Sequence, residues 1–222
     1  MKRLLVFLAA VVLAAGVQAK DKNYQLQSPS GDIKVSVTAG EQMMWSVSAQ
    51  GTVVLEPSAL SMALDNGIVF GRGVKVKKAV KRSVDRTLTP VAYRQAQVRD
   101  NYNELTLRCG GYSVVFRAYD DGAAYRFIAD QKKTFNVLSE EAGFALTGPA
   151  KGFIPYCRNR ADNLECQFFT SFEAVYNNIP VTDWESGRLA FLPVTLDAPN
   201  GMKVCITESS LLNYPGMYLS NE

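Results

Sequence analysis

The residue type most useful for reading chemistry in this chain is the one it lacks. None of its 222 residues is histidine. A Ser-His-Asp or Cys-His nucleophile system therefore cannot be assembled within it. Imidazole zinc sites and the two-histidine iron triad are excluded on the same ground. Any chemistry must come from carboxylates, lysine, tyrosine or cysteine. Any metal would most naturally be a hard cation held by oxygen.

Four cysteines remain: Cys109, Cys157, Cys166 and Cys205. Their spacing does not fit a zinc ribbon, and four thiols allow three pairings. Cys157 and Cys166 flank a short polar loop and are the best-placed pair for a disulfide. The alternative is that all four are small buried residues, as free cysteines often are. Cys109 and Cys205 lie in alternating runs, which favours burial for both.

Two further clusters admit a functional and a structural reading. Tyr156, Phe168, Phe169, Phe172, Tyr176 and Trp184 are scattered among polar residues between Phe153 and Leu192. Aromatics on loops can stack on sugar rings, and they can equally anchor those loops to a core. Lys75, Lys77, Lys78, Lys81 and Arg82 form a basic run that could bind an anion. The same run suits a solvated strand edge, because lysines blunt unwanted edge pairing.

The elements that must position these residues are strands. Ile33, Val35 and Val37 alternate with polar neighbours, as do Leu60, Met62 and Leu64. Val74 and Val76, then Leu105, Leu107 and Cys109, then Tyr112, Val114 and Phe116, and finally Met202, Val204 and Ile206 follow the same rule. Period-two alternation marks half-buried strands. Gly110-Gly111 and Asn200-Gly201 are hairpin signals, since two-residue loops need positive φ. Residues 103–109, 112–119 and 123–129 are thus predicted to be three consecutive antiparallel strands. No stretch carries a helical apolar stripe over three turns. The fold expected is all-β, an antiparallel β-sandwich of two packed sheets.

The chain begins with an export pattern. Met1-Lys2-Arg3 is a positive n-region, Leu4 to Ala15 is apolar, and Val17-Gln18-Ala19 offers small residues where signal peptidase reads. The apolar run is shorter than the roughly 20 residues of a membrane span. Cleavage is predicted after Ala19, so residues 1–19 form a signal peptide and residues 20–222 the domain. The destination would be the periplasm or the exterior. Apolar residues make up 47% and charged residues 20%, enough for a buried core. With Lys2 and Arg3 removed, the remaining charges are nearly balanced, which gives no electrostatic case for nucleic acid or a membrane surface.

Four segments together carry a resemblance. They are Leu26-Gln27-Ser28-Pro29-Ser30-Gly31-Asp32-Ile33-Lys34-Val35, then Val54-Leu55-Glu56-Pro57-Ser58-Ala59-Leu60-Ser61-Met62-Ala63-Leu64, then Gly122-Ala123-Ala124-Tyr125-Arg126-Phe127. The last is Ile206-Thr207-Glu208-Ser209-Ser210-Leu211-Leu212-Asn213-Tyr214-Pro215-Gly216-Met217-Tyr218-Leu219. From about Tyr24 to its last residue the chain resembles the N-terminal domain of glycoside hydrolase family 97, the family of the starch-utilisation α-glucosidase and related α-galactosidases.

The resemblance implies an exported α-glycosidase whose N-terminal β-sandwich precedes a (β/α)8 barrel that carries the catalytic carboxylates. It implies a calcium ion in the active site, with one glutamate ligand drawn from the N-terminal domain. By its match to the Ile-Thr-Glu segment, that ligand is Glu208. Residues 20–222 would then end near the junction to a barrel lying outside this chain. They would pack on it and help wall a pocket for an α-linked oligosaccharide. Calcium takes roughly six to eight oxygens, so Glu208 alone would bind it weakly or not at all. Glycoside hydrolysis commonly uses two flanking carboxylates, and no such pair is nominated in this chain. The alternative is a freestanding sugar-binding module that uses aromatics such as Trp184 and Tyr176. Against it stands the apolar tail, Tyr214 to Leu219, expected to lie uncovered without a partner domain.

Overall fold

Alternating apolar residues in the first two-thirds of the chain set two sheets face to face. The computed structural model describes residues 21–148, 150–158 and 163–221. The expected signal peptide and its cleavage site after Ala19 lie outside the described residues. The strands are β1 (Lys22–Gln27), β2 (Ile33–Ala39), β3 (Met43–Ala49), β4 (Thr52–Leu64), β5 (Val69–Phe70), β6 (Lys78–Leu88) and β7 (Val98–Arg108). They continue as β8 (Tyr112–Tyr119), β9 (Gly122–Ala129), β10 (Val137–Ala142), β11 (Lys151–Ile154), β12 (Asn177–Pro180), β13 (Val194–Asp197) and β14 (Lys203–Ile206). Three short 3-10 turns are the only helical elements among the described residues.

The first sheet runs β1-β2-β3-β4-β10, with β5 paired to β4. The second runs β6-β7-β8-β9. Every strand pair in both is antiparallel. The inward residues interleave into one core. Val35, Val37, Met43, Trp45 and Leu60 from the first sheet meet Leu105, Leu107, Val114 and Phe116 from the second. This is the expected all-β sandwich, built by one-sided burial of each sheet. Glu56 and Pro57 lie inside β4 where its register against β3 shifts. Such a bulge accommodates a proline that cannot donate to the ladder.

The predicted three-strand run matches β7, β8 and β9. Gly110 and Gly111 both take positive φ, 85° and 81°, and Cys109 N–H donates to Tyr112 carbonyl at 2.9 Å to close the hairpin. β7 begins earlier than predicted because Arg99 to Tyr102 continue its ladder with β6. Val74 to Lys77 do not form a strand. Val74 is buried and Val76 packs on the core, but this stretch crosses from one sheet to the other and the ladder of β6 starts only at Lys78.

A third, smaller sheet, β12-β11-β13-β14, holds the predicted strand around Val204 as β14 and draws β11 and β12 from the irregularly spaced region between Phe153 and Leu192. Its own core contains Ile154, Tyr156, Trp184, Val194, Leu196 and Ile206. Phe144 packs on both cores, so it joins the small sheet to the sandwich. No helix among the described residues is long and apolar enough to cross a membrane.

Candidate functional site

The C-terminal segment is where the functional expectations concentrate. β14 ends at Ile206, and Glu208 follows two residues later, half-buried. Its Oε1 accepts the Met217 N–H at 2.8 Å. Gly216 lies beside the same oxygen; a Cβ there would sit 3.3 Å from it. The chain thus leaves β14, loops outward and returns across the carboxylate.

The returning segment is fastened on both sides of Met217. Tyr214 Oη donates to Glu140 Oε2 at 2.6 Å, and Tyr125 Oη lies 3.4 Å from Glu140 Oε1. Burial, then the neighbouring Glu140 carboxylate, push both phenols well above the usual tyrosine range. Further on, Leu219 exchanges both backbone hydrogen bonds with Ala190 at 2.9 Å. Met217 and Leu219 pack on the small core, and Tyr218 packs on Cys157, Leu189 and Phe191. The expectation of an uncovered tail is therefore corrected for this part. Met217 to Leu219 dock on the chain's own core because Ala190 offers them a strand-like edge.

The receiving surface is the loop from Asp183 to Phe191. Buried Gln167 holds it through Nε2 to Gly187 carbonyl at 2.6 Å and Oε1 from Leu189 N–H at 2.8 Å. Tyr156 Oη accepts Glu185 N–H at 2.9 Å. Trp184 Nε1 donates to Arg188 carbonyl at 2.8 Å, and its ring meets Tyr156 edge-on at 5.9 Å. Trp184 is only 9% exposed. It is a core residue with its one polar atom satisfied, which corrects its reading as a sugar-stacking platform. Tyr156 is buried in the same core.

The other aromatics behave differently. Phe168, Phe169, Phe172 and Tyr176 are exposed, with Phe169 at 79%. Three of them lie by the docked Tyr218 or by Phe191, on which it packs. Phe168 and Phe172 lie 5.0 and 6.1 Å from the Tyr218 ring, and Phe172 and Tyr176 lie 5.5 and 6.3 Å from Phe191. Leu164 and Val175 are exposed in the same stretch. Phe168, Phe172 and Tyr176 thus present a solvent-facing apolar surface beside Tyr218 and Phe191.

The cysteines correct two expectations. Cys157 is a free, fully buried thiol, so it makes no bridge to Cys166, which sits on the exposed 3-10 turn Leu164–Phe168. Burial pushes the Cys157 thiol pKa up, with Arg188 working against that shift. Cys109 is buried as expected, but Cys205 is exposed. On β14 it takes the outward phase opposite Val204 and Ile206.

The basic run flanks and begins β6, an edge strand of the second sheet, and its side chains are exposed. Arg82 is committed to Glu104 at 2.7 Å. The run is thus a charged strand edge.

No group of three or more His, Cys, Asp or Glu residues that could hold a metal occurs among the described residues. Calcium prefers more oxygens than any cluster of carboxylates among the described residues supplies. Glu208, oriented through Oε1, can supply one carboxylate donor to a site completed by other residues. Only the resemblance of its segment singled out Glu208. The roles of Glu140 and Gln167 were not legible, because each acts on a partner tens of residues away.

Comparisons with known proteins agree with this architecture. The chain is 40% identical over 222 residues to a retaining alpha-galactosidase of Bacteroides thetaiotaomicron, covering 99% of this chain and 33% of that protein. It is 29% identical over 210 residues to a probable retaining alpha-galactosidase of Streptomyces bingchenggensis, covering 90% of this chain and 31% of that protein. The chain thus spans about a third of the length of these curated relatives. In fold it is similar to a glycoside hydrolase family 97 enzyme from Pseudoalteromonas sp. strain K8 solved with panose. The TM-score is 0.74 at 24% identity, over 90% of this chain and 30% of that one. The family described as Glycosyl-hydrolase 97 N-terminal matches residues 26–222, and the chain belongs to it.

Proposed function

We propose that this chain is the N-terminal domain of an exported, calcium-dependent α-glycosidase. It packs on a catalytic barrel encoded in the same polypeptide and supplies Glu208 as one calcium ligand. The observation that carries this reading is the conjunction at the C-terminal segment. A glutamate oriented by Met217 N–H is followed by a docked segment whose Tyr218 packs against exposed Phe168 and Phe172 of another loop. Exposed Phe168, Phe172 and Tyr176 are the kind of apolar face that a partner domain covers. Bound calcium would neutralise and orient oxygen groups in the sugar pocket. This chain's share is one fixed carboxylate and part of the wall. The substrate class is an α-linked sugar, and the 40% identity to a retaining alpha-galactosidase makes an α-galactoside the first to try.

A freestanding sugar-binding module has less support, because Trp184, its leading platform, is buried. The test uses the full-length polypeptide and the isolated chain side by side on chromogenic α-galactoside and α-glucoside. Turnover is expected only in the full-length form, and it should fall at least tenfold with a chelator or with Glu208→Gln. Turnover by the isolated chain, or a full-length enzyme indifferent to both treatments, would overturn the reading.

A further inference from the structure

We propose that Glu140 and Tyr214 form a latch that positions Glu208, making both positioning residues for the ligand role of that glutamate. The inference rests on the reading of Glu208 given above. Residues 207–216, apart from Glu208 itself, are exposed, so almost no core packing sets where this stretch lies. It also contains two non-glycine residues at positive φ, Ser210 at 60° and Asn213 at 58°. Left-handed backbone in such residues persists only where surrounding contacts hold it.

Those contacts sit at the end of the stretch. Tyr214 Oη donates to Glu140 Oε2 at 2.6 Å. Glu140 stands on β10, whose ladder with β4 ties it to the large sheet. Glu140 is also within 3.4 Å of Tyr125 Oη, a residue of the sandwich core's margin. Three residues after Tyr214, Met217 N–H reaches Glu208 Oε1 at 2.8 Å, and Leu219 is fixed to Ala190. The amide that orients Glu208 is thus suspended between two anchors. One is the Leu219–Ala190 pair on the small sheet's side. The other is the Tyr214–Glu140 bond on the sandwich. Removing the phenolic hydroxyl frees one end of the suspension and leaves the ring and Glu208 in place.

The test titrates the metal-free full-length protein with Ca2+ alone, by calorimetry, for Tyr214→Phe, Glu140→Ala, Glu140→Gln and Glu208→Gln. Tyr214→Phe and Glu140→Ala should each weaken the calcium Kd about five- to tenfold. Glu140→Gln, which keeps an acceptor oxygen, should stay within about twofold. Glu208→Gln should weaken binding more than any of these, and adding Tyr214→Phe to it should change nothing further. Thermal unfolding in chelator identifies any variant that fails to fold, and the two Glu140 variants then carry the comparison. Unchanged calcium affinity in folded Tyr214→Phe and Glu140→Ala, with Glu208→Gln weakened, overturns the latch and leaves the Glu208 reading standing. Unchanged affinity in Glu208→Gln overturns both.

Discussion

Glu104 shows how a single carboxylate can be held ionised on the wrong side of a sheet. It points to the outer face of β7 yet is only 5% exposed. Arg82 from β6 binds both its oxygens, at 2.7 and 3.0 Å, and Arg117 from β8 binds at 2.9 Å. The Arg117 guanidinium also covers the Tyr102 ring at 4.3 Å. Burial by itself would raise the Glu104 pKa, but the two arginines outweigh it and hold the carboxyl below its usual range. A folded pKa below the unfolded one stabilises the protein above the unfolded value, and that stabilisation is lost as pH falls through the folded value. Glu104→Gln should therefore cost about 1.5–3 kcal/mol at pH 7, the range for hydrogen bonds to charged groups. Urea midpoints of wild type and variant should draw together progressively as the pH falls below the ordinary glutamate range. A gap that stays constant with pH would show that packing, not charge, is what the substitution removes.

Gly71, just past β5, ties three elements together. Its carbonyl accepts Met43 N–H from β3 at 2.7 Å, and its N–H donates to Tyr112 Oη from β8 at 3.1 Å. Its φ is +84°, and a Cβ would fall 2.1 Å from the Leu60 carbonyl oxygen of β4. That neighbour is backbone and cannot swing away. Gly71→Ala should cost roughly 3 kcal/mol or more, the left-handed penalty plus forced displacement of packed strands. In a domain of this size that lowers Tm by roughly 6 °C or more. Gly67→Ala is the control. Its φ is similar, +81°, but nothing lies within 4 Å of its Cβ position, so only the conformational penalty of about 1–2 kcal/mol applies. Equal losses in the two variants would refute the close-approach argument. The same region marks what was legible in sequence. β2, β4, β7 and β8 announced themselves because one face is apolar and the other polar. β6 did not read as an eleven-residue strand, because almost all of it is exposed and its ladder is dressed with Lys, Arg and Asp. β3 was obscured by Met44, an apolar residue on its outward phase. The small sheet has four-residue strands brought together from distant positions, and no local pattern encodes that pairing. Glu208 was nominated only through its segment's resemblance, while Glu140 needed the fold to bring β10 beside Tyr214.

At the scale of the whole molecule, the two cores have different relations to solvent. The sandwich core is closed between its sheets, whereas the small sheet carries the exposed aromatics on its loop. Val175 at 85% and Phe169 at 79% exposure contribute little to the stability of this chain by itself, since exposed side chains have little burial to lose. If a barrel covers this face, each should contribute about 1.5–3 kcal/mol to the joined structure, the worth of burying a side chain of that kind. The prediction has two arms. In the isolated chain, Phe169→Ser with Val175→Ser should change the unfolding free energy by no more than about 1 kcal/mol, about 0.5 for each exposed position, and should lower any tendency to self-associate, read by sedimentation velocity. In the full-length polypeptide, the same pair should lower the free energy separating domain from barrel by about 3–6 kcal/mol, summing the two burials. It should appear as a second, earlier unfolding transition. An unchanged full-length transition would place the barrel contact on another face. A large loss in the isolated chain would mean that these residues already support its own core. Only the expected pattern, silent alone and costly when joined, marks an interface that a folded partner completes.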